Sequence, residues 1–177
     1  MQDVIQAQDN RSPLDRSLGT LLEEIDRTAS FLEVGVGEGR LTRQAARRFR
    51  RVVAVDWDPR SLITARPKVG GRAVSLLMMD AHRLEFPDEL FDAVAEFNAL
   101  GHFSDPGLVA AEMIRVVRPG GVVMFLASWR SEVLLLKAGW LQAHLARAGV
   151  ITRLMITGRV VALIARRLPV RPISMPV

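Results

Sequence analysis

Apolar residues in this chain gather into short continuous runs separated by stretches with helical spacing. Leu18, Leu21, Leu22 and Ile25 share one helical face behind Asp15, which can cap that helix. The run Phe31-Leu32-Glu33-Val34 is a strand that enters a turn with glycine at alternate positions, Gly35, Gly37 and Gly39. In the helix that follows, Leu41, Ala45 and Phe49 mark one side, while Arg40, Arg43, Arg47 and Arg51 form a stripe expected to face solvent. Residues 51–56 read as a second, buried strand, and Asp58-Pro59 opens a helix capped by Asp58. Gly70-Gly71 breaks that helix before a third strand over 73–79, which ends at Asp80. After the turn at 86–89, residues 91–97 predict a fourth strand. Asp105-Pro106 starts a helix whose apolar face is Val109, Ala110, Met113, Ile114 and Val117. Arg118-Pro119-Gly120-Gly121 stops it ahead of a fifth strand over 122–127. A long helix from Ser131 to Leu145 follows, with Gly149 as its left-handed cap. Two runs around Thr157-Gly158 then predict a hairpin.

Five alternations of strand and helix followed by a hairpin define an α/β fold: a three-layer, doubly wound, Rossmann-like sheet, mostly parallel, with an antiparallel C-terminal hairpin. Ligands of such sheets lie beyond the carboxyl ends of the strands. Glu33, Asp56, Asp80 and Asn98 stand at or near those ends. One domain is expected over 31–167, with an arm and helix over 1–30 before it and an extended tail over 168–177 after it.

Composition narrows the alternatives. The 177 residues suit a single core, and apolar runs such as Val160 to Ala165 are far too short to span a bilayer. No basic segment leads into an apolar one at the N-terminus, so the default compartment is cytoplasmic. The absence of cysteine removes disulfides, thiolate metal sites and a cysteine nucleophile, and no residue spacing argues for a metal site. The net charge of +5 is uneven, because no acid follows Glu132 while seven basic residues do. A basic C-terminal surface is therefore expected, either as a plain solvated face or as a patch for RNA or an acidic partner.

A strand, a glycine turn and a helix form a cradle for a nucleotide-like ligand, because glycine lets backbone approach and tolerates positive φ. Two cofactors fit when an acid follows about 20 residues on. A dinucleotide site has the pattern G-x-G-x-x-G, but here Arg40 takes the final place and Gly39 falls one position early. Glu33 and Glu38 also flank the turn, where a pyrophosphate would be repelled.

The other candidate emerges from Glu33-Val34-Gly35-Val36-Gly37-Glu38-Gly39, Asp56, Asp80-Ala81, Phe91-Asp92-Ala93-Val94, Arg118-Pro119-Gly120-Gly121 and Leu145-Ala146-Arg147-Ala148-Gly149-Val150. In this order and spacing, over residues 30 to 166, the chain resembles the class I methyltransferases that use S-adenosylmethionine. The resemblance implies that Glu33 meets the cofactor's ammonium, Asp56 both ribose hydroxyls and Asp80 the adenine amino group. It implies that the Ala81 N–H serves a ring nitrogen. The backbone of Gly35, Val36, Gly37 and Gly39 and the residues Phe97 and Asn98 complete the expected contacts. Trp57 lies against the adenine face on one reading and plugs the sheet edge on another.

Methyl transfer needs a nucleophile in line with the breaking S–C bond, and positioning alone can supply roughly 7–11 kcal/mol. The acceptor is expected along 96–103, which lacks the Asn/Asp-Pro-Pro-aromatic element of many methyltransferases that act on base amino groups. His102 is the candidate general base, since imidazole titrates near neutrality. His82 is expected at the adenine rim, His144 in a structural place and Trp129 in the acceptor pocket. The short N-terminal segment implies a site that is open or closed by a second subunit of a homodimer. A small-molecule acceptor is the first expectation. RNA or protein methylation and a non-catalytic cofactor-binding subunit are the alternatives.

Overall fold

The computed structural model describes residues 11–69, 74–128, 132–148 and 150–168, with side chains of the last helix described from residue 139. Seven strands form one sheet: β1 (Ser30–Val34), β2 (Arg51–Asp56), β3 (Val74–Met78), β4 (Phe91–Phe97), β5 (Val117–Ser128), β6 (Val150–Thr157) and β7 (Val160–Arg167). Their order is β3-β2-β1-β4-β5-β7-β6. The first five are parallel, and β7 runs antiparallel between β5 and β6. The helices are α1 (Pro13–Leu22), α2 (Arg40–Ala46), α3 (Pro59–Val69), α4 (Pro106–Val116) and α5 (Glu132–Arg147).

The strand order reverses between β1 and β4, because β2 and β3 are laid to one side of β1 and β4 and β5 to the other. That reversal opens a crevice beyond the strand ends. Alternating side chains on the central strands fill two layers. One holds Leu32, Val94, Val123 and Phe125 with Val109, Met113, Leu141 and Leu145 of α4 and α5. The other holds Phe31, Ala93, Met124 and Ala162 with Leu18, Leu22 and Leu41 of α1 and α2. Phe31 stacks on Phe49 at 5.1 Å, which fixes α2 and its following turn against β1. No helix among the described residues is long and apolar enough to cross a membrane.

Several local expectations need correction. The cap of α1 is Ser12, whose Oγ accepts the Asp15 N–H at 3.1 Å, with Pro13 as the first helical residue. Asp15 is instead buried and ion-paired to Arg43 at 2.9 Å and Arg40 at 3.3 Å. The expected arginine stripe is not one helical face: Arg40 and Arg43 on α2 staple α1, while exposed Arg47 is the C-cap of α2 and exposed Arg51 begins β2. The Arg118-Gly121 segment lies inside β5 as an irregularity in its register with β4. A Cβ at Gly121 would stand 2.7 Å from the Asp92 carbonyl oxygen, so the close passage requires glycine. Gly70-Gly71, Trp129, Ser131, Gly149 and the tail from 169 lie outside the described residues.

Candidate active site

β1 delivers the chain to the crevice, and three glycines then turn it for three separate reasons. Gly35 has φ +82° and passes the loop after β4 so closely that a Cβ would meet the Ala99 methyl at 2.8 Å. Gly39, with φ +75°, caps α2 while packed on α3, where a Cβ would lie 2.7 Å from Val69. Gly37 has φ +48° and would meet nothing with a Cβ, because it faces the open crevice. Gly39 is therefore a packing position and does not line the crevice.

The next strand ends at Asp56. Its Oδ2 accepts the Gly37 N–H and its Oδ1 the Asp58 N–H, each at 3.0 Å. One carboxylate thus ties the glycine turn to the start of α3. Each oxygen keeps a further lone pair for a ligand hydroxyl.

Two cavities of about 420 and 700 Å³ meet here, sharing Gly35, Asp56, Trp57, His102 and Phe103. The smaller also takes Met79, Asp80, Ala81, His82 and Ser104. The larger takes Glu33, Val36, Gly37, Glu38, Arg40, Phe97, Asn98 and Ala99. Apart from Gly39, every residue expected from sequence to contact cofactor lines this double cleft. Trp57 stands 75% exposed at the junction, so it does not plug the sheet edge.

The acids differ sharply in environment. Glu33 is 1% exposed and accepts a short hydrogen bond from the Thr42 hydroxyl on α2. Burial pushes its carboxyl up to about 8, and Thr42 recovers only part of that shift. Asp80 is open to water and accepts the His82 backbone N–H at 2.9 Å and ring Nδ1 at 2.7 Å, which hold it below the ordinary carboxylate range. Asn98, at φ +57°, ties β4 to β5 by accepting the Ser128 N–H at 2.9 Å. The His102 ring hydrogen-bonds to no described residue, and only its backbone N–H is engaged, with the Ala99 carbonyl at 2.9 Å.

Sequence reasoning misjudged two residues, taking Glu96 only as the first residue of the acceptor segment and Arg40 as part of a solvent-facing stripe. Glu96 is fully buried, and burial pushes its carboxyl up to about 7 despite bonds from the Ala99 and Leu100 N–H groups at 2.8 and 3.0 Å. It shapes the loop that carries Phe97 to Phe103. The signal was an acid inside the apolar strand Ala93-Val94-Ala95-Glu96-Phe97. Arg40 was read as solvent-facing, although its place directly after the glycine turn puts it on the wall of the larger cavity.

A crossover sheet with a glycine cradle, the acids Glu33, Asp56 and Asp80 at or just past strand ends and no glycine at the dinucleotide position is the arrangement of the Rossmann-like methyltransferase fold, and it fits S-adenosylmethionine as cofactor. The residues fit that molecule: open space at Gly37, spare lone pairs on Asp56 and acids for an ammonium and an amine. Residues 32–125 match the methyltransferase domain family, and the chain belongs to that family. Phosphatidylethanolamine N-methyltransferase of Cereibacter sphaeroides is 36% identical over 104 residues, covering 56% of this chain and 51% of that protein. The chain spans about half the length of the curated relatives it matches. A SAM-dependent methyltransferase structure from Aquifex aeolicus aligns at TM-score 0.72 and 20% identity, covering 89% of this chain and 93% of the other. The [4+2]-cyclase SpnF aligns at 0.75 and 18% identity over 88% and 82%. At such identities the structural likeness establishes the fold alone.

Proposed function

We propose that this chain transfers a methyl group from S-adenosylmethionine to a small-molecule acceptor lodged against Phe97, Asn98, Ala99 and His102. The observation that carries this reading is the charge of the cleft. Glu38, Asp56, Asp58 and Asp80 line it as carboxylates, and Glu33 can ionise beside a bound cation, against Arg40 as the single guanidinium among the described lining residues. Such a wall favours a cationic cofactor and opposes a polyanionic RNA strand. The C-terminal basic residues are also partly committed: Arg167 donates to the Val117 carbonyl and pairs with Glu89 at 2.9 Å, and Arg153 pairs with Glu24 at 2.9 Å.

S-adenosylmethionine supplies an electrophilic methyl group on a sulfonium sulfur. The smaller cavity is the adenosine side, where Asp56 takes the ribose hydroxyls and Asp80 and the Ala81 N–H the base, with Trp57 beside it. The larger cavity is the methionine and acceptor side. Glu33 serves the ammonium there, and Arg40 is the cation available to the carboxylate. Val36, Gly37 and Gly35 give backbone access. His102, free at its ring, receives the proton that the acceptor nitrogen or oxygen loses as the new bond to carbon forms. The amine in the name of the Cereibacter relative supports starting with amine acceptors.

The test is thermal unfolding with S-adenosylhomocysteine and with NAD, followed by methyl release against amine, phenol and RNA panels. Ligand at 100 times its dissociation constant adds about 2.7 kcal/mol. Stabilisation by S-adenosylhomocysteine, with turnover on a small acceptor that His102→Ala lowers at least tenfold, supports the reading. Stabilisation by NAD alone, or methyl transfer confined to RNA, refutes it.

A further inference from the structure

His82 follows the tip of β3 and is absorbed by none of the roles above, yet it is the residue that joins the two walls of the adenosine cavity. Asp80, Ala81 and His82 come from the β3 side, and His102, Phe103 and Ser104 from the loop after β4. The ring bridges them. Its Nδ1 lies 2.7 Å from Asp80 Oδ1. Its Nε2 lies 3.2 Å from the Asp105 backbone nitrogen and 3.1 Å from Ser104 Oγ.

These partners fix the tautomer. A backbone N–H can only donate, so Nε2 carries the lone pair and the proton resides on Nδ1, where Asp80 accepts it. The Phe103 ring meets the imidazole edge-on at 6.0 Å and 85°. The strut continues beyond the loop, because the Asp105 carboxylate caps α4 through the Gly107 and Leu108 N–H groups, each at 3.0 Å. Asp80 is thereby connected through one imidazole to the rigid start of a helix.

We propose that His82 is a positioning residue that locks the Asp80 carboxylate and the loop bearing His102 and Phe103 into one unit, and so sets the preference for a 6-amino over a 6-oxo purine in the cofactor. The proposal rests on the adenosine reading of the smaller cavity given above. A carboxylate accepts hydrogen bonds and cannot donate. A 6-amino purine therefore satisfies it, and a 6-oxo purine places oxygen against oxygen. That difference discriminates only while the carboxylate cannot swing aside. The Asp80 side chain is 64% exposed, and two bonds to its Oδ1 restrain it, one from the His82 backbone N–H and one from the imidazole, which alone ties it to the facing loop.

The experiment measures dissociation constants of S-adenosylhomocysteine and S-inosylhomocysteine by calorimetry for wild type, His82→Ala, His82→Asn and His82→Gln, with circular dichroism to confirm folding. Wild type should favour the adenosine ligand at least tenfold, the scale of a charge-assisted bond. His82→Ala, which keeps only the backbone N–H on Asp80, should lower the ratio at least threefold. His82→Asn, whose amide N–H can still reach Asp80, should restore part of it, and His82→Gln should not. Should the alanine variant fail to fold, the contrast between Asn and Gln decides the question by itself. An unchanged ratio in these variants, even with both affinities weakened, overturns the inference while leaving the cofactor reading intact. Failure of wild type to bind either ligand overturns the cofactor reading and this inference with it.

Discussion

Replacing Glu33 by glutamine should flatten the dependence of stability on pH, because this carboxyl stores its perturbation in burial. In the folded chain burial pushes it up to about 8 from an ordinary 4.5. Between those values the folded state keeps a proton that the unfolded state has released. The unfolded state therefore binds fewer protons, and stability falls as pH rises. The contribution is present in full below pH 4.5 and has been lost once pH passes about 8. The limiting slope is about 1.4 kcal/mol per pH unit for each such group. Glu96 adds its own share up to about pH 7, so the decline should be steepest below neutrality. Glutamine keeps an oxygen for the Thr42 hydroxyl and removes the titration. Urea unfolding at pH 5, 6, 7 and 8 should show wild type losing at least about 1 kcal/mol more than the variant across that range. Cofactor binding supplies a second readout. An ammonium beside Glu33 favours its ionised form, so binding S-adenosylhomocysteine at pH 7 should release a proton from wild type and fewer from the variant. Calorimetry in two buffers of different ionisation enthalpy measures that release. Parallel stability curves for the two proteins would refute the claim that Glu33 is held protonated.

Two further substitutions probe the frame of the site. Gly39→Ala combines a left-handed backbone with a Cβ 2.7 Å from Val69, and should cost about 2–4 kcal/mol in urea unfolding; a loss under half of that at the low end would mean α3 can move aside. Arg167→Met removes a guanidinium that holds the Val117 carbonyl and Glu89, and should cost about 1–2 kcal/mol, whereas exposed Arg166→Met should stay within about 0.5 kcal/mol. Equal costs at the two positions would show that Arg167 is merely another surface cation.

Periodicity made the sheet and its helices legible, because a buried strand and a one-sided helix leave their spacing in the sequence. The glycine turn and the acids after β2 and β3 were legible for a related reason: their chemistry is local to a strand end. Contacts between distant segments leave no such trace. Asp15 was read as a cap because aspartate often caps helices, yet its partners Arg40 and Arg43 lie 25 and 28 residues away. Ser12, three residues earlier with proline behind it, was the better cap signal. Arg115 reaches the carbonyls of Leu84 and Phe86, both at 2.8 Å, and so secures the loop between β3 and β4 by contacts that no spacing rule reveals. His82 was placed at the adenine rim on proximity to Asp80, but its second tie, to Ser104, spans 22 residues and emerges only from the fold.

The acids of the cleft also show why a sequence motif understates such a site. In the protein alone each carboxylate already holds a piece of its own wall: Glu33 holds α2 through Thr42, Asp56 the glycine turn, Asp80 the imidazole strut and Glu96 the loop after β4. A group that must reorganise on binding spends affinity on its own ordering, whereas a group already restrained does not. The restraint has a cost of its own, visible in the raised carboxyls of Glu33 and Glu96, which burial alone would leave destabilised. A cationic cofactor offsets that cost at Glu33 by giving the ionised form a partner. Glu96 bonds to backbone of its own loop and of Leu126 on β5 and lines neither cavity, so it should remain the source of pH sensitivity when the cleft is filled. Holding cofactor at saturation should therefore remove the Glu33 part of the pH dependence and leave the part that ends near pH 7.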